Sequence, residues 1–207
     1  MFPNRRLVVA LVVLFFVTTG HGAETSIPLK VAYSTIAAGH SVLWVTKEAG
    51  LFRENGLDVE LLFIQSSSLL ATGLLAGTLP IATMGGVAAV EGNLRGADLV
   101  LLGSLKKTPS LTFLVTSKEI TRPDQLKGKK LGVSRIGSSS DSILRMALRK
   151  LGLNPERDVT ILQVGSSPLR TAALRSGNID GTILNISMVW TTSCVCLTLL
   201  RKGSRRF

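Results

Sequence analysis

Five consecutive residues, Gly137-Ser138-Ser139-Ser140-Asp141, carry the most readable chemistry in this chain. Glycine permits a sharp turn, and Ser138 followed three residues later by an acid has the spacing of a helix capping box. A helix starting here would present backbone N–H groups near Ser139 and Ser140, with their hydroxyls, at the positive end of its dipole, where an oxyanion fits. A plain helix cap with no ligand satisfies the same spacing, so spacing alone leaves both readings open. Met84-Gly85-Gly86 is a second candidate surface, because paired glycines let a ligand approach the backbone at another helix start. Close packing of helix on strand would explain those glycines equally well. Ser34 ends the first predicted strand and Gln65 and Ser66 end the second, where an open α/β sheet binds ligands. Taken singly, each is an ordinary loop residue.

No catalytic constellation assembles. His40 stands alone once His21 is assigned to an N-terminal leader, so Ser-His-Asp or Cys-His sets and histidine-rich metal sites have one base at most. A lone histidine before a helix reads as structural or exposed. Cys194 and Cys196 are separated by one residue, which is poor geometry for a mutual disulfide, and they form no cysteine-type zinc site. Glu119 and Asp124 lack the spacing of a general acid-base pair. Trp44 reads as core or cleft wall, and Lys106-Lys107 as a solvated face able to steer anions. The expectation is no enzyme, no metal and no cofactor.

Two series of alternating β-like and helical runs position these residues. Leu29–Ser34 reads as a strand and Ser41–Asn55 as a helix with Val42, Val45, Ala49 and Phe52 on one face. Leu57–Ile64 is a second strand. Ser66–Ala76 is a helix with three serines to cap it and Gly77 to close it. Pro80–Met84, the helix Gly85–Arg95 and a fourth strand Asp98–Gly103 follow. Parallel crossovers need about a dozen residues, so this alternation implies βαβ units. Lys106–Ser110 reads as a connection and Leu111–Thr116 as a strand carrying the chain into a second unit. That unit comprises a short helix Arg122–Leu126, strand Leu131–Arg135, helix Ser138–Leu151, strand Val159–Val164, helix Pro168–Ser176 and strand Ile179–Leu184. Two α/β lobes joined by an extended crossover enclose a cleft suited to a small ligand.

The composition fits such a fold. A chain of 207 residues with 45% hydrophobic and 18% charged residues buries a core and is not disordered. Its net charge of +11 is concentrated at the ends, with Arg5 and Arg6 near the start and Arg201, Lys202, Arg205 and Arg206 near the finish. Between them both signs are interspersed, which removes the case for nucleic acid as a partner. Basic Met1–Arg6, the apolar run Leu7–Val17 and the small-residue stretch Thr18–Ala23 have the layout of a secretory signal peptide, with cleavage near Gly22. The run is short of the roughly 20 residues a membrane anchor needs, and no cysteine follows it to take a lipid.

Four segments carry a family resemblance. Lys47-Glu48-Ala49-Gly50-Leu51-Phe52 with Asn55-Gly56-Leu57-Asp58-Val59 is similar to a helix-to-strand signature of periplasmic substrate-binding proteins of the sulfonate, taurine and nitrate ABC-transporter type. Asp124–Val133 resembles the opening of that family's second lobe, Gly137–Ser140 its anion-binding loop, and Ala173–Gly181 the turn after the following helix. The resemblance spans Leu29 to Asn185. It implies an α/β fold of the type II periplasmic binding protein, two lobes around a cleft, with a monomeric receptor that hands a small anionic or polar solute to an ABC permease in the inner membrane. On this basis 1–22 is a signal peptide, 23–104 lobe 1, 105–117 a hinge crossover and 118–185 a partial lobe 2. The implied ligand-binding residues are Ser34, Gln65, Ser66, Gly85, Gly86, Gly137, Ser138, Ser139 and Ser140. The thiamine-pyrimidine-precursor synthases share the fold but use histidines and iron, against which the single mature histidine counts. A sensory domain would need an attached membrane helix and output domain.

From Ile186 onward the resemblance stops. Residues 186–207 contain no Asp or Glu, both cysteines and four basic residues near the end. This composition reads as an aberrant tail, explained better by a shifted reading frame than by the alternative of a natural short variant. The second lobe and the return crossover would then be incomplete, with poor solubility and weak or absent ligand binding expected from exposed sheet edges.

Overall fold

The computed structural model describes residues 26–105 and 112–185, together with the strand Val195–Leu197. The leader, the Lys106–Ser110 connection and, that strand apart, the tail from Ile186 lie outside the described residues.

Strands β1 (Ile27–Tyr33), β2 (Leu57–Phe63) and β3 (Ile81–Thr83) form the first sheet, in the order β2-β1-β3 with all pairings parallel. β1 is central, and its neighbours Val31 and Ala32 are both buried, as expected of a strand covered on both faces. Helices α1 (Ser41–Glu48) and α2 (Leu51–Glu54) connect β1 to β2, α3 (Ser67–Leu75) connects β2 to β3, and α4 (Gly86–Leu94) follows β3.

The predicted continuous helix Ser41–Asn55 is therefore two helices, broken where Gly50 takes a left-handed φ of 74°. Of its predicted inner face, Phe52 packs against the core of the first sheet. Val42 and Val45 are exposed, while Leu43 packs with Val31 and Val59. Apolar residues occupy four consecutive positions, Val42 to Val45, so the sequence leaves open which side faces the sheet. Trp44 reaches Tyr33 edge-on at 5.4 Å between ring centroids.

A fourth strand at Asp98–Gly103 does not form. The Asn93 side chain binds both backbone groups of Leu99, accepting from its N–H at 2.9 Å and donating to its carbonyl at 2.8 Å. Val100, Leu101 and Leu102 that follow are exposed. A strand needs a hydrogen-bonding neighbour as well as an apolar run, and no described strand lies beside this one.

The second sheet has the order β6-β5-β7-β4-β8. It contains β4 (Thr112–Thr116), β5 (Lys130–Val133), β6 (Thr160–Gln163), β7 (Gly181–Asn185) and β8 (Val195–Leu197). β5 runs parallel to β6 and β7, while β4 is antiparallel to both β7 and β8. The strand with which the crossover ends is thus an inner strand of this sheet. Helix α5 (Ser139–Lys150) joins β5 to β6 and α6 (Ser167–Arg175) joins β6 to β7; the predicted short helix before β5 is the 3-10 turn Pro123–Leu126. Leu144 and Leu148 of α5 pack on Leu131, Val133, Leu114 and Ile183, all nearly or fully buried.

Candidate functional site

The C-terminal ends of β1, β2 and β3 face the starts of α5 and α6 across a cavity of about 1100 Å³. It is lined from the first lobe by Ser34, Gln65, Ser67, Thr83, Gly85 and Gly86, and from the second by Ser134, Ser139, Ser140, Ser166, Ser167 and Arg170. Six of the nine sequence-derived site residues therefore meet here: Ser34, Gln65, Gly85, Gly86, Ser139 and Ser140. Ser66, Gly137 and Ser138 are not on the wall. Ser66 precedes α3 with its hydroxyl 2.8 Å from that of Ser68, and makes no cap bond.

The start of α5 is built differently from a simple capping box. Gly137 takes φ 75° and turns the chain into the helix. Ser138 holds the cap position, but its side chain caps nothing. It is fully buried and lies in a triangle of hydroxyls with Ser134 and Ser140, at 2.8–2.9 Å on each side. Ser140 Oγ also accepts the Ser134 backbone N–H at 2.9 Å. The acidic half of the box reaches one residue further back, where Asp141 Oδ2 accepts the Gly137 N–H at 2.8 Å. Asp141 is buried, and its other oxygen accepts from Arg145 Nε at 2.8 Å. This anchors the first turn of α5, whose N–H groups at Ser139, Ser140 and Asp141 have no intrahelical acceptor.

One of those N–H groups crosses the cleft. Ser139 donates it to Ser67 Oγ at 2.9 Å, and the Ser139 hydroxyl donates to the Gly85 carbonyl at 3.2 Å. Gly85 is required by this approach, since a Cβ there would stand 2.8 Å from Ser139 Oγ and 3.0 Å from its Cβ. Rotating the hydroxyl relieves only the first of these contacts. Gly85→Ala is accordingly expected to hold the lobes apart and disfavour the closed arrangement by on the order of 1 kcal/mol. Small-angle scattering would read this as a larger radius of gyration, and an unchanged radius would count against the contact. Gln65 makes a parallel approach, with its Oε1 3.2 Å from where a Cβ on Gly165 would sit.

Sequence reasoning missed Ser67, Thr83, Ser134, Ser166, Ser167 and, the one charged residue among them, Arg170. It is only 5% exposed yet belongs to the cavity wall. Nε donates to Thr182 Oγ1 at 3.0 Å, one terminal nitrogen to the Gly165 carbonyl at 2.6 Å, and the other to Ser167 Oγ at 3.1 Å and the Ile183 carbonyl at 3.2 Å. Burial pushes its pKa down to about 10, so it remains a cation at neutral pH. The available signal was a basic residue four positions before Leu174, on the stripe of α6 that faces the sheet.

Residues considered for catalysis do not converge. His40 lines the cavity. Asp124 pairs with Arg122 at 3.0 Å on the surface. Glu119 is held below the usual carboxylate value by hydrogen bonds from its own backbone N–H and the Ser117 hydroxyl. Among the described residues no group of three His, Cys, Asp or Glu could hold a metal ion, and no helix is long and apolar enough to cross a membrane.

The family model described as NMT1/THI5 like matches residues 37–193. The chain belongs to the NMT1/THI5-like family. This family match passes beyond Asn185 into the segment whose composition departs from the rest. YtlA of Bacillus subtilis (strain 168), which carries a binding-protein name, is 29% identical over 144 residues, 68% of this chain and 43% of its own length. A Haemophilus influenzae protein named for thiamine biosynthesis is 28% identical over 145 residues, 70% of this chain and 45% of its own. The alkanesulfonate-binding protein SsuA of Xanthomonas axonopodis pv. citri, solved with MOPS bound, superposes with a TM-score of 0.66 at 21% identity, covering 83% of this chain and 60% of SsuA. The fold is that of the periplasmic binding proteins. This NMT1/THI5-like chain spans less than half the length of the curated relatives it matches.

Proposed function

We propose that this chain is an exported receptor that captures a small anionic or polar solute between its two lobes and presents it to an ABC permease. The observation that carries the reading is the pair of bonds from Ser139 to Ser67 and Gly85, which join the lobes over a cavity of mixed polar and apolar lining at strand ends and helix starts. A solute oxygen there would compete with the Ser67 hydroxyl for the Ser139 N–H and take up the neighbouring helix-start N–H groups, and the two lobes would close on it. The bound sulfonate of the SsuA structure supports an oxyanion as the solute. The same site framework serves sulfonate, nitrate or taurine, each with an oxyanion or sulfonate end.

A thermal-shift panel of methanesulfonate, taurine, nitrate and a hydroxymethylpyrimidine tests the proposal. A rise in melting temperature with at least one oxyanion is expected. A rise with the pyrimidine alone would move the reading toward the thiamine-related branch, which the Haemophilus match supports. No shift with any of the four would defeat solute capture. Export is tested separately, by intact mass of periplasmic material. Loss of about the first 20 to 23 residues is expected from the Arg5-Arg6 and apolar-run layout, and a soluble cytoplasmic product retaining Met1–Val17 would contradict it.

A further inference from the structure

Arg170 is a buried guanidinium facing only neutral acceptors. Its four partners are two hydroxyls and two backbone carbonyls, and no carboxylate lies within ion-pair distance of it among the described residues. The segments outside the description supply little to change this. Residues 106–111 and 186–207 contain no Asp or Glu, which leaves Glu24 as the only acidic side chain outside the described residues. A cation removed from water without a counter-charge is costly, and neutral donors of similar length would staple α6 to β7 without that cost. Five N–H groups belong to the guanidinium, and four are used. The side chain forms part of the cavity wall and holds the Ser167 hydroxyl of the same wall.

We propose that Arg170 is the residue that selects a negatively charged solute over a neutral one of the same shape, the solute acting as the counter-ion this buried cation lacks. This rests on the solute-capture reading above and assigns its charge selectivity to one side chain. The role is distinct from that of the α5 start, whose N–H and hydroxyl donors also serve a neutral sulfonyl oxygen and whose helix dipole adds only a modest preference for an anion.

The test compares methanesulfonate with methanesulfonamide, which has nearly the same shape and no charge at neutral pH. Titration of the full chain is expected to favour the anion by about ten- to a hundredfold, the scale of a charge-assisted hydrogen bond. In Arg170→Met the two probes should bind within a few-fold of each other. Arg170→Lys should retain the preference for the anion even if both affinities fall. A residue that only staples α6 to β7 would weaken both probes equally in both variants, and that outcome would overturn the inference. Should Arg170→Met not fold, 15N spectra of arginine side chains in the unaltered protein decide the matter. The signal absent from Arg170→Lys should move with methanesulfonate and stay with methanesulfonamide, and a signal that moves with neither or equally with both rejects the role. Failure of the unaltered chain to bind methanesulfonate would instead overturn the capture reading and this inference with it.

Discussion

Leu144→Ala is expected to destabilise the second lobe by about 2–5 kcal/mol. Leu144 is fully buried, and it packs beneath the sheet with Leu148, Leu131, Val133 and Ile183. The substitution removes three carbons at the centre of this cluster and leaves a cavity that the parallel strands β5 and β7 cannot collapse to fill. It lies one turn past Ser140, so the same loss loosens the helix start that carries the site. Urea unfolding should show a midpoint shift with little change in slope. A loss under about 1 kcal/mol would mean that α5 is not seated as described.

Replacing both Ser139 and Ser140 by alanine is expected to weaken oxyanion binding by about 1.5–3 kcal/mol, with the fold retained. Ser139 loses its hydroxyl bond to Gly85 across the cleft, while its backbone N–H stays. Ser140 loses a corner of the hydroxyl triangle, and with it the acceptor for the Ser134 N–H. Calorimetric titration with the solute that gives the largest thermal shift measures the change. An unchanged affinity in a cooperatively folding variant would remove both hydroxyls from the site and leave any anion to the backbone donors.

The sequence makes much of the order of strands and helices legible because amphipathic α5 and α6 match the helical period, while β5 and β7 are short runs buried almost throughout. The glycines that close α3 and α5, at Gly77 and Gly152, also adopt the left-handed conformation that ends a helix. The strand expected at Asp98–Gly103 failed because its local pattern is apolar while its partner would have to come from elsewhere in the chain. Periodicity describes one segment at a time, and sheet order is a property of several. The candidate site was legible where it depends on backbone, at Gly85, Gly86 and the start of α5, since glycines and serines mark such turns directly. It was illegible at Ser138 and Arg170. Whether a hydroxyl caps a helix or turns into the interior depends on a third residue, Ser134, four positions earlier. An arginine on a helix facing a sheet is ordinary in sequence, and only the absence of a neighbouring carboxylate among the described residues makes it notable.

Amide hydrogen exchange on the full chain, with and without saturating methanesulfonate, tests most directly whether a solute is held between the two lobes. Exchange is expected to slow together at Ser139–Asp141 in the second lobe and at Gly85–Val87 in the first, because one ligand would engage the start of α5 and draw Gly85 against it. Protection confined to a single lobe, or absent from both while the solute binds, would contradict capture in the cleft.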